Sequence, residues 1–260
     1  MKVFVIIPAA GLGTRMAPPA RSQDAKGAPP SKQFAELGGV PILVRTLRKF
    51  LRSPQVHEIY IALRTPEPEQ FPPVLERELI SAREHWSEDW GPGKLVRIVE
   101  GGEHRQQSVA NALAKINAVD DDIVLVHDAV RPFVDADIIR SVIAAAAKHG
   151  AAIAGLPAVD TVKQVDRTAD GAIVTSTVPR ERVVLAQTPQ GFRFAVLKKA
   201  FDDAQADGFT GTDEASLVER AGHEVAVVMG SARNIKITTP ADLELAEFYL
   251  AQEKNDSAAD

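Results

Sequence analysis

Residues 3–16 of the chain read VFVIIPAAGLGTRM, and this stretch decides the fold class. Its first part, Val3–Ile7, is an apolar run typical of a buried parallel strand. The second part is rich in glycine and contains one arginine. Gly11 and Gly13 let the backbone approach an anion, and Arg15 adds a permanent positive charge. The stretch therefore predicts a strand that leads into a phosphate-binding loop.

The glycine loop differs from the two best-known phosphate loops. It lacks the Lys-Ser/Thr ending of the P-loop, and it lacks the third glycine of the dinucleotide fingerprint. The alternative interpretation of the loop is a tight turn followed by surface residues. The pattern therefore indicates phosphate chemistry of another kind.

Composition limits the possible functions. The chain has 260 residues, enough for one large α/β domain or two small ones. Its net charge of −5 argues against a nucleic-acid-binding surface. It contains no cysteine, which excludes disulfides and thiolate metal sites and fits a reducing compartment. Because no signal peptide or membrane-length apolar run occurs, we expect a soluble, cytoplasmic protein with no membrane partner.

Strand and helix patterns alternate along the chain. Apolar runs predict strands at Val3–Ile7, Val56–Leu63, Leu95–Val99, Ile123–Val126 and Ala151–Leu156. Helical periodicity predicts helices at Pro41–Leu51, Val74–Ile80, Ser108–Ile116 and Ala136–Lys148. This alternation predicts an α/β fold with a mostly parallel sheet and helices on both faces.

Three polar loops directly follow predicted strands. They are Gly11–Arg15, Gly101–Arg105 and His127–Arg131. Ligands of such sheets bind outside the carboxyl ends of the strands. We therefore expect the three loops to line one site at one edge of the sheet.

Three regions interrupt the alternating pattern. Residues 17–31 are rich in proline and predict a long loop. Thr161–Val165 and Ala172–Val178 predict a hairpin, which needs a packing partner because a two-stranded ribbon is marginal alone. The polar tail, residues 254–260, is predicted to be disordered.

Asp128 is the candidate metal ligand. A carboxylate at the end of a strand is well placed to hold Mg²⁺ beside phosphates. Arg131 either contacts a phosphate or pairs with Asp128. His127 is interpreted as a support of its loop, because no second His or Cys stands at ligand spacing.

Several other polar residues are candidates for ligand contacts, each with a structural alternative. Ser108, after two glycines, either reads a base or ribose or simply begins a helix. Thr161, Arg180 and Thr188 offer donors for a phosphate on a second substrate or are ordinary surface residues of the hairpin. Lys236 is predicted on a short strand between two isoleucines, where its amine must reach water or an anion.

Six motifs in this order resemble the 2-C-methyl-D-erythritol 4-phosphate cytidylyltransferase family. They are PAAGxGxRM at 8–16, SKQF at 31–34, HDAxRP at 127–132, QTPQ at 187–190, TDEAS at 212–216 and NIKIT at 234–238. The resemblance runs from Val3 to about Leu250. It implies one Rossmann-like nucleotide-diphospho-sugar transferase domain, residues 1–253, with a protruding β-hairpin arm at about 157–182.

The resemblance also implies the substrates and the residues that contact them. It implies CTP, Mg²⁺ and a polyol phosphate, and a homodimer in which each arm reaches the partner's site. Residues matching catalytic positions are Arg15, Lys32, Arg180 and Lys236. Positions matching CTP contacts are Pro8, Ala9, Ala10, Gly11, Gly13, Thr14, Arg15, Lys32, Gly102, Arg105, Ser108, Asp128 and Lys236. Positions matching contacts to the second substrate are Asp128, Arg131, Thr161, Arg180 and Thr188, with Asp128 also at the metal position.

The chain departs from the family pattern at three places. The loop between Arg15 and Lys32 is longer than usual, so SKQF alone places Lys32. Val130 replaces a common alanine. After Arg180 the sequence is ERVVL instead of an Asn-Gly-Leu-Trp-like run, so Arg182 competes with Arg180 for the substrate-positioning role.

The expected reaction is direct displacement at the α-phosphorus of CTP by a phosphate oxygen of 2-C-methyl-D-erythritol 4-phosphate, with loss of pyrophosphate. Because the attacking phosphate is already anionic, catalysis needs positioning and charge stabilisation more than a general base. The alternatives are a ribitol-5-phosphate cytidylyltransferase and an inactive nucleotide-binding or scaffolding module.

Overall fold

The computed structural model describes residues 1–11, 32–64 and 94–259, with side chains as far as residue 253. Some predicted features lie outside these residues. They include Gly13, Thr14 and Arg15 of the glycine loop, the loop at residues 17–31 and the helix at 74–80. The fold is described from the remainder.

Short strands and longer helices follow one another along the chain. The strands are β1 (Val3–Pro8), β2 (Glu36–Leu37), β3 (Val40–Pro41), β4 (Glu58–Leu63), β5 (Leu95–Glu100), β6 (Ile123–Val126), β7 (Ala151–Pro157), β8 (Val162–Thr168), β9 (Gly171–Val178), β10 (Val184–Arg193) and β11 (Ala226–Met229). The helices are α1 (Ile42–Leu51), α2 (Arg105–Leu113), α3 (Ala136–His149), α4 (Phe194–Ala206), α5 (Glu214–Arg220) and α6 (Pro240–Ala259).

Seven strands form the central sheet, in the order β11-β7-β10-β6-β1-β4-β5. β1 pairs in parallel with both β4 and β6, and β11 pairs in parallel with β7. β10 is antiparallel to both of its neighbours. The predicted α/β fold with a mostly parallel sheet is therefore confirmed.

The central strand β1 buries both of its faces. Val3, Val5 and Ile7 pack into an apolar cluster with α1 and α3. Phe4 and Ile6 point to the other face and pack with α2, α4 and α5. Because successive side chains of a strand alternate between faces, this continuous apolar run supplies the core on both sides of the sheet.

The parallel strands bring the predicted loops to one edge of the sheet. Gly101, after β5, lies directly against Ala10, after β1, and a Cβ atom on Gly101 would collide with the Ala10 Cβ. The backbone N–H of Gly101 also donates to the Leu63 carbonyl at 2.6 Å. Glycine at position 101 is thus required by the close approach of two loops.

Besides the small β2–β3 sheet, a separate two-stranded sheet of β8 and β9 forms the predicted arm. β8 and β9 pair antiparallel, with an irregularity between Gln164 and Val165. The hairpin is separate from the central sheet, and Ile173 on it is 63% exposed. The hairpin prediction is therefore confirmed, with strands slightly longer than the sequence pattern indicated.

The sequence pattern does not predict strand β10. This strand contains Gln187, Thr188 and Gln190, which break the apolar pattern although all three are buried. Because β10 runs antiparallel to β6, with Gln190 paired to Val126, the preceding residues of β10 lie beyond the carboxyl end of β6. An antiparallel strand thus delivers polar side chains to the edge where the loops meet.

Two local predictions near the C-terminus differ from the structure. Lys236 is not part of a strand. Its segment lies beside the loop after β6, where the Ile237 N–H donates to the Val130 carbonyl at 3.0 Å. Helix α6 begins at Pro240 and continues to Ala259 through residues expected to be disordered. Good helix formers such as Gln252, Glu253 and Lys254 continue the helix past the apolar anchor at Leu250.

Candidate active site

A cleft of about 200 Å³ opens at the carboxyl edge of the sheet. Three predicted loops and the Lys236 segment contribute to it. Its lining includes ten of the predicted CTP-contacting residues, namely Pro8, Ala9, Ala10, Gly11, Lys32, Gly102, Arg105, Ser108, Asp128 and Lys236. The structure therefore brings together residues that are far apart in the sequence.

Gln33 connects Lys32 to the glycine loop. Residues Lys32–Phe34 form one turn of 3-10 helix. The buried Gln33 amide donates to the Ala9 carbonyl at 2.7 Å and to the Gly11 carbonyl at 3.0 Å. This double hydrogen bond holds Lys32 beside the start of the loop, where both line the cleft.

Ser108 supports the turn that precedes α2. Its hydroxyl accepts the Gly102 N–H at 3.0 Å and donates to the His104 carbonyl at 3.1 Å. Ser108 is nearly fully buried, although it borders the cleft. Its local role is thus to fix the backbone around Gly102, and its predicted contact with the nucleotide stays a prediction.

The buried Asp128 carboxylate is surrounded by three cations. Arg105 Nε lies 3.2 Å from Oδ1 of Asp128. Arg131 Nε and Lys236 Nζ lie 3.3 Å and 2.9 Å from Oδ2. The three cations come from α2, from the loop after β6 and from the segment before α6, so Asp128 ties three parts of the chain together.

These cations decide the protonation state of Asp128. Burial alone would raise the pKa of the carboxyl group. The charges of Arg105, Lys236 and Arg131 outweigh burial and hold the pKa of Asp128 well below its usual range. Asp128 is therefore a carboxylate at neutral pH.

Arg131 lies behind the cleft, 9% exposed. Its Nη1 donates to the Asn234 carbonyl at 2.7 Å, while its Nε faces Asp128. Of the two roles left open by the sequence, the structure shows pairing with Asp128. Arg131 thereby also fixes the segment that presents Lys236.

Gln187 holds the same segment from the other side. Its amide exchanges hydrogen bonds with the backbone of Ser231, at 2.9 and 3.2 Å. The buried Asn234 amide donates to the Gln187 side chain at 3.3 Å and to the Thr188 carbonyl at 2.8 Å. The ends of β10 and of the Lys236 segment are therefore locked to each other.

His127 and Thr188 form a buried hydrogen-bond chain under Asp128. His127 Nε2 lies 3.1 Å from the Arg131 carbonyl, which only accepts, so this nitrogen carries the proton. His127 Nδ1 then accepts from the Thr188 hydroxyl at 3.0 Å. The same hydroxyl accepts the Asp128 N–H at 3.1 Å.

These hydrogen bonds define what His127 and Thr188 do within the protein. The predicted support role of His127 agrees with them, because one ring nitrogen bonds the Arg131 carbonyl within the loop and the other bonds Thr188 on β10. Thr188 is 4% exposed and positions Asp128. The predicted contact between Thr188 and the second substrate remains untested.

The predicted arm residues do not line the cleft of their own chain. Thr161, Arg180 and Arg182 are exposed on or beside the hairpin. Arg180 Nη1 donates to the Val159 carbonyl at 3.0 Å, which ties the two ends of the arm together. The structure therefore does not choose between Arg180 and Arg182 as a substrate-positioning residue.

The sequence motifs predict no individual role for Gln33, Gln187 or Glu214. All three are buried polar residues that hold backbone or charged side chains at the cleft. The signal was their position inside the SKQF, QTPQ and TDEAS motifs. Their actual partners depend on contacts distant in sequence, which a motif does not specify.

Comparison with known proteins identifies the family. The family model described as "IspD: 2-C-methyl-D-erythritol 4-phosphate cytidylyltransferase" matches residues 3–252. The chain belongs to this family. Membership confirms the resemblance found in the six sequence motifs and the assignment of the chain to the nucleotidyltransferases.

Relatives in the family match over nearly their full length. The 2-C-methyl-D-erythritol 4-phosphate cytidylyltransferase of Acidobacterium capsulatum is 55% identical over 252 residues, covering 97% of this chain and 98% of the relative. The enzyme of the same name from Solibacter usitatus is 51% identical, with 97% of each chain covered.

Solved structures in the family share the fold. The crystal structure of 2-C-methyl-D-erythritol 4-phosphate cytidylyltransferase from Thermus thermophilus is 34% identical, with a TM-score of 0.70 and coverage of 96% of this chain and 98% of that one. The 4-diphosphocytidyl-2C-methyl-D-erythritol synthase from Anaerococcus prevotii is 30% identical, with a TM-score of 0.76 and 96% coverage of each chain.

Within the described residues, no helix is both long enough and apolar enough to cross a membrane. In the same part of the chain, no three His, Asp or Glu side chains gather into a metal-binding cluster.

The buried His127 ring predicts a pH-dependent stability. Burial lowers the pKa of His127 to about 4 from its ordinary 6.5. The unfolded chain then binds a proton near pH 6.5 that the native state binds only near pH 4. The free energy of unfolding should fall by roughly 3 kcal/mol between these pH values from this residue alone.

Urea unfolding at pH 4.5 and 7.0 tests this expectation. His127→Gln should reduce the loss of stability on acidification, and the exposed His223→Gln should leave it as in the parent protein. The same acid-dependent loss in His127→Gln and the parent would contradict the assignment.

Proposed function

We propose that this cleft binds CTP and transfers CMP to 2-C-methyl-D-erythritol 4-phosphate. The products are 4-diphosphocytidyl-2-C-methyl-D-erythritol and pyrophosphate. The observation that carries the proposal is the cleft shared by residues 8–11 at the start of the glycine loop, Lys32, Asp128 and Lys236. Family membership along almost the whole chain supports the choice of both substrates.

In the proposed reaction, a phosphate oxygen of the methylerythritol phosphate attacks the α-phosphorus of CTP. A new oxygen–phosphorus bond forms while the bond from the α-phosphorus to the bridging oxygen of the β-phosphate breaks, and the electron pair leaves with pyrophosphate. The attacking oxygen carries no proton to remove, so fixed positive charge is the main requirement.

Cationic side chains supply that charge in the proposed mechanism. Lys32 and Arg15 stabilise the negative charge that develops on the reacting phosphate. Lys236 is held 2.9 Å from Asp128, half-exposed at the cleft, where it positions phosphate oxygens. Because a rigid network fixes Asp128, the Lys236 ammonium is pre-organised before either substrate binds.

Asp128 could also serve as a single protein ligand for Mg²⁺. Three hydrogen-bonded cations occupy three of the roughly four lone-pair positions of its carboxylate, leaving one on Oδ1. One carboxylate suffices for an ion bound mainly by substrate phosphates and water. We include Mg²⁺ in the proposal with Asp128 as its protein ligand, where the bound ion would neutralise phosphate charge.

The proposal further includes a cytoplasmic homodimer with exchanged arms. Val165, Ile173 and Val174 are exposed apolar residues on the hairpin, which suits packing against another subunit. In that arrangement Thr161 and Arg180 meet the second substrate in the partner's cleft. Arm exchange would explain why Thr161 and Arg180 lie outside the cleft of their own chain. The proposed cytoplasmic location is supported by the absence of cysteine, which fits a reducing compartment.

A pyrophosphate-release assay tests the function. With Mg²⁺ and CTP, the protein should turn over 2-C-methyl-D-erythritol 4-phosphate and not ribitol 5-phosphate. Turnover of ribitol phosphate alone would assign the protein to the alternative cytidylyltransferase. CTP binding without pyrophosphate release from either polyol phosphate would favour the binding-module alternative.

Lys32→Ala should lower kcat strongly. Removing one donor from a pre-organised charged site typically costs about 3–4 kcal/mol of barrier, or roughly a hundred-fold to a thousand-fold in rate. Steady-state kinetics should show this loss while the thermal midpoint stays near that of the parent.

Lys148→Ala is the matched control for this experiment, because Lys148 is exposed at the end of α3. Its kinetics should be unchanged. Near-normal turnover by Lys32→Ala would show that the position does not act in the reaction.

Arm exchange predicts complementation between inactive subunits. Arg15→Ala removes a CTP-side residue, and Arg180→Ala removes an arm residue. If each arm serves the partner's cleft, a mixed dimer contains one cleft with both defects and one with neither. Mixing and re-annealing the two variants should therefore restore up to about half of the activity per mixed dimer, measured by pyrophosphate release.

A mixture that shows only the sum of the two separate activities, while mixed dimers are present by mass spectrometry, would contradict arm exchange. Arg182→Ala mixed with Arg15→Ala serves as the comparison. It shows whether Arg182 takes the role assigned to Arg180.

A further inference from the structure

Glu214 is a buried acidic residue that the proposed mechanism leaves without a role. It is 1% exposed and lies at the first position of α5, inside the TDEAS motif. Its Oε1 accepts from Arg105 Nη1 at 2.6 Å. Arg105 lines the cleft and Glu214 does not, so Glu214 contacts the guanidinium from behind.

The beginning of α5 is anchored independently of Arg105. Asp213 caps the helix through the Ser216 N–H at 2.9 Å. Gln190 on β10 donates to the Asp213 carboxylate at 2.7 Å and accepts the Ala215 N–H at 3.0 Å. Glu214 is thus presented by a backbone that is fixed on both sides.

The contribution of Glu214 to protein stability does not explain why a carboxylate is buried beside Arg105. Burial raises the pKa of Glu214, and the charge of Arg105 offsets this only in part, so an ionised carboxylate is costly here. Its Oε2 is buried and has no hydrogen-bond partner among the described residues. A buried group with this cost calls for an explanation other than stability.

Arg105 is held between two carboxylates. Nη1 pairs with Glu214 while Nε pairs with Asp128 at 3.2 Å. Without Glu214, the attraction to Asp128 would be unopposed, and the guanidinium would be drawn toward Asp128 and the cations already gathered there. Two opposed partners keep Arg105 at a defined position in the wall of the cleft.

We propose that Glu214 is a positioning residue for nucleotide binding, which holds Arg105 in the orientation that receives CTP. This rests on the proposed use of CTP in this cleft. Glu214 touches neither substrate. Its effect passes through Arg105, which is a predicted CTP contact only, so it acts on CTP binding more strongly than on binding of the polyol phosphate.

Steady-state kinetics with each substrate varied in turn provide the test. Glu214→Ala should raise the KM for CTP about ten-fold, and it should change both kcat and the KM for the polyol phosphate less than about two-fold. Glu214→Gln keeps an acceptor of the same size for Arg105 and should give an intermediate KM for CTP. Glu219→Gln, exposed on the same helix, should behave as the parent protein.

A double-mutant comparison separates positioning from a structural role. With Arg105→Ala already present, Glu214→Gln should change the KM for CTP less than about two-fold further. A structural role would instead lower the thermal midpoint and kcat in either background without raising the KM for CTP selectively. If Glu214→Ala does not fold, the Gln variants carry the test by themselves.

An unchanged KM for CTP in folded Glu214→Gln and Glu214→Ala, or equal effects on both substrates, would overturn the proposal. So would a full further effect of Glu214→Gln when Arg105 is absent. These outcomes differ from failure of the proposed function, in which the parent protein itself would release no pyrophosphate from CTP with the methylerythritol phosphate.

Discussion

The structure of the site depends on one buried carboxylate and the cations that compensate it. Asp128 lies at the end of β6, where burial alone would favour its neutral form. Arg105, Arg131 and Lys236 converge on it from separate parts of the chain. Removing any of them would leave buried charge less well compensated. The carboxylate thereby organises the positive side chains that the proposed reaction needs.

Around Asp128, polar side chains of β10 fix the neighbouring segments through hydrogen bonds. Gln187 fixes the Lys236 segment, Thr188 fixes the Asp128 backbone and Gln190 fixes the start of α5. Their position follows from the antiparallel direction of β10, which brings its first half beyond the end of β6. A strand with an irregular apolar pattern is therefore essential to the site, because its polar residues connect three loops.

Prediction from sequence succeeded where the signal was local. The continuous apolar run of β1 predicts a buried strand, and the loops after β1, β5 and β6 are predicted at one edge of the sheet, as the structure shows. It failed where burial is decided by distant contacts. The polar residues in Gln187–Gln190 do not fit an apolar strand pattern, so the sequence does not predict β10. Lys236 is predicted on a strand because isoleucines flank it, but no strand among the described residues pairs with its segment.

The sequence by itself determined the α/β class, the hairpin arm and the family motifs, because these depend on periodicity and on residues close together in the chain. Only the tertiary structure decided which side chains face the cleft and which face the protein. Arg131 and Thr188 support Asp128 from within, while Arg105 is held between Asp128 and Glu214. The physical reason is that compensation of buried charge depends on proximity in space, which the order of residues along the chain does not specify.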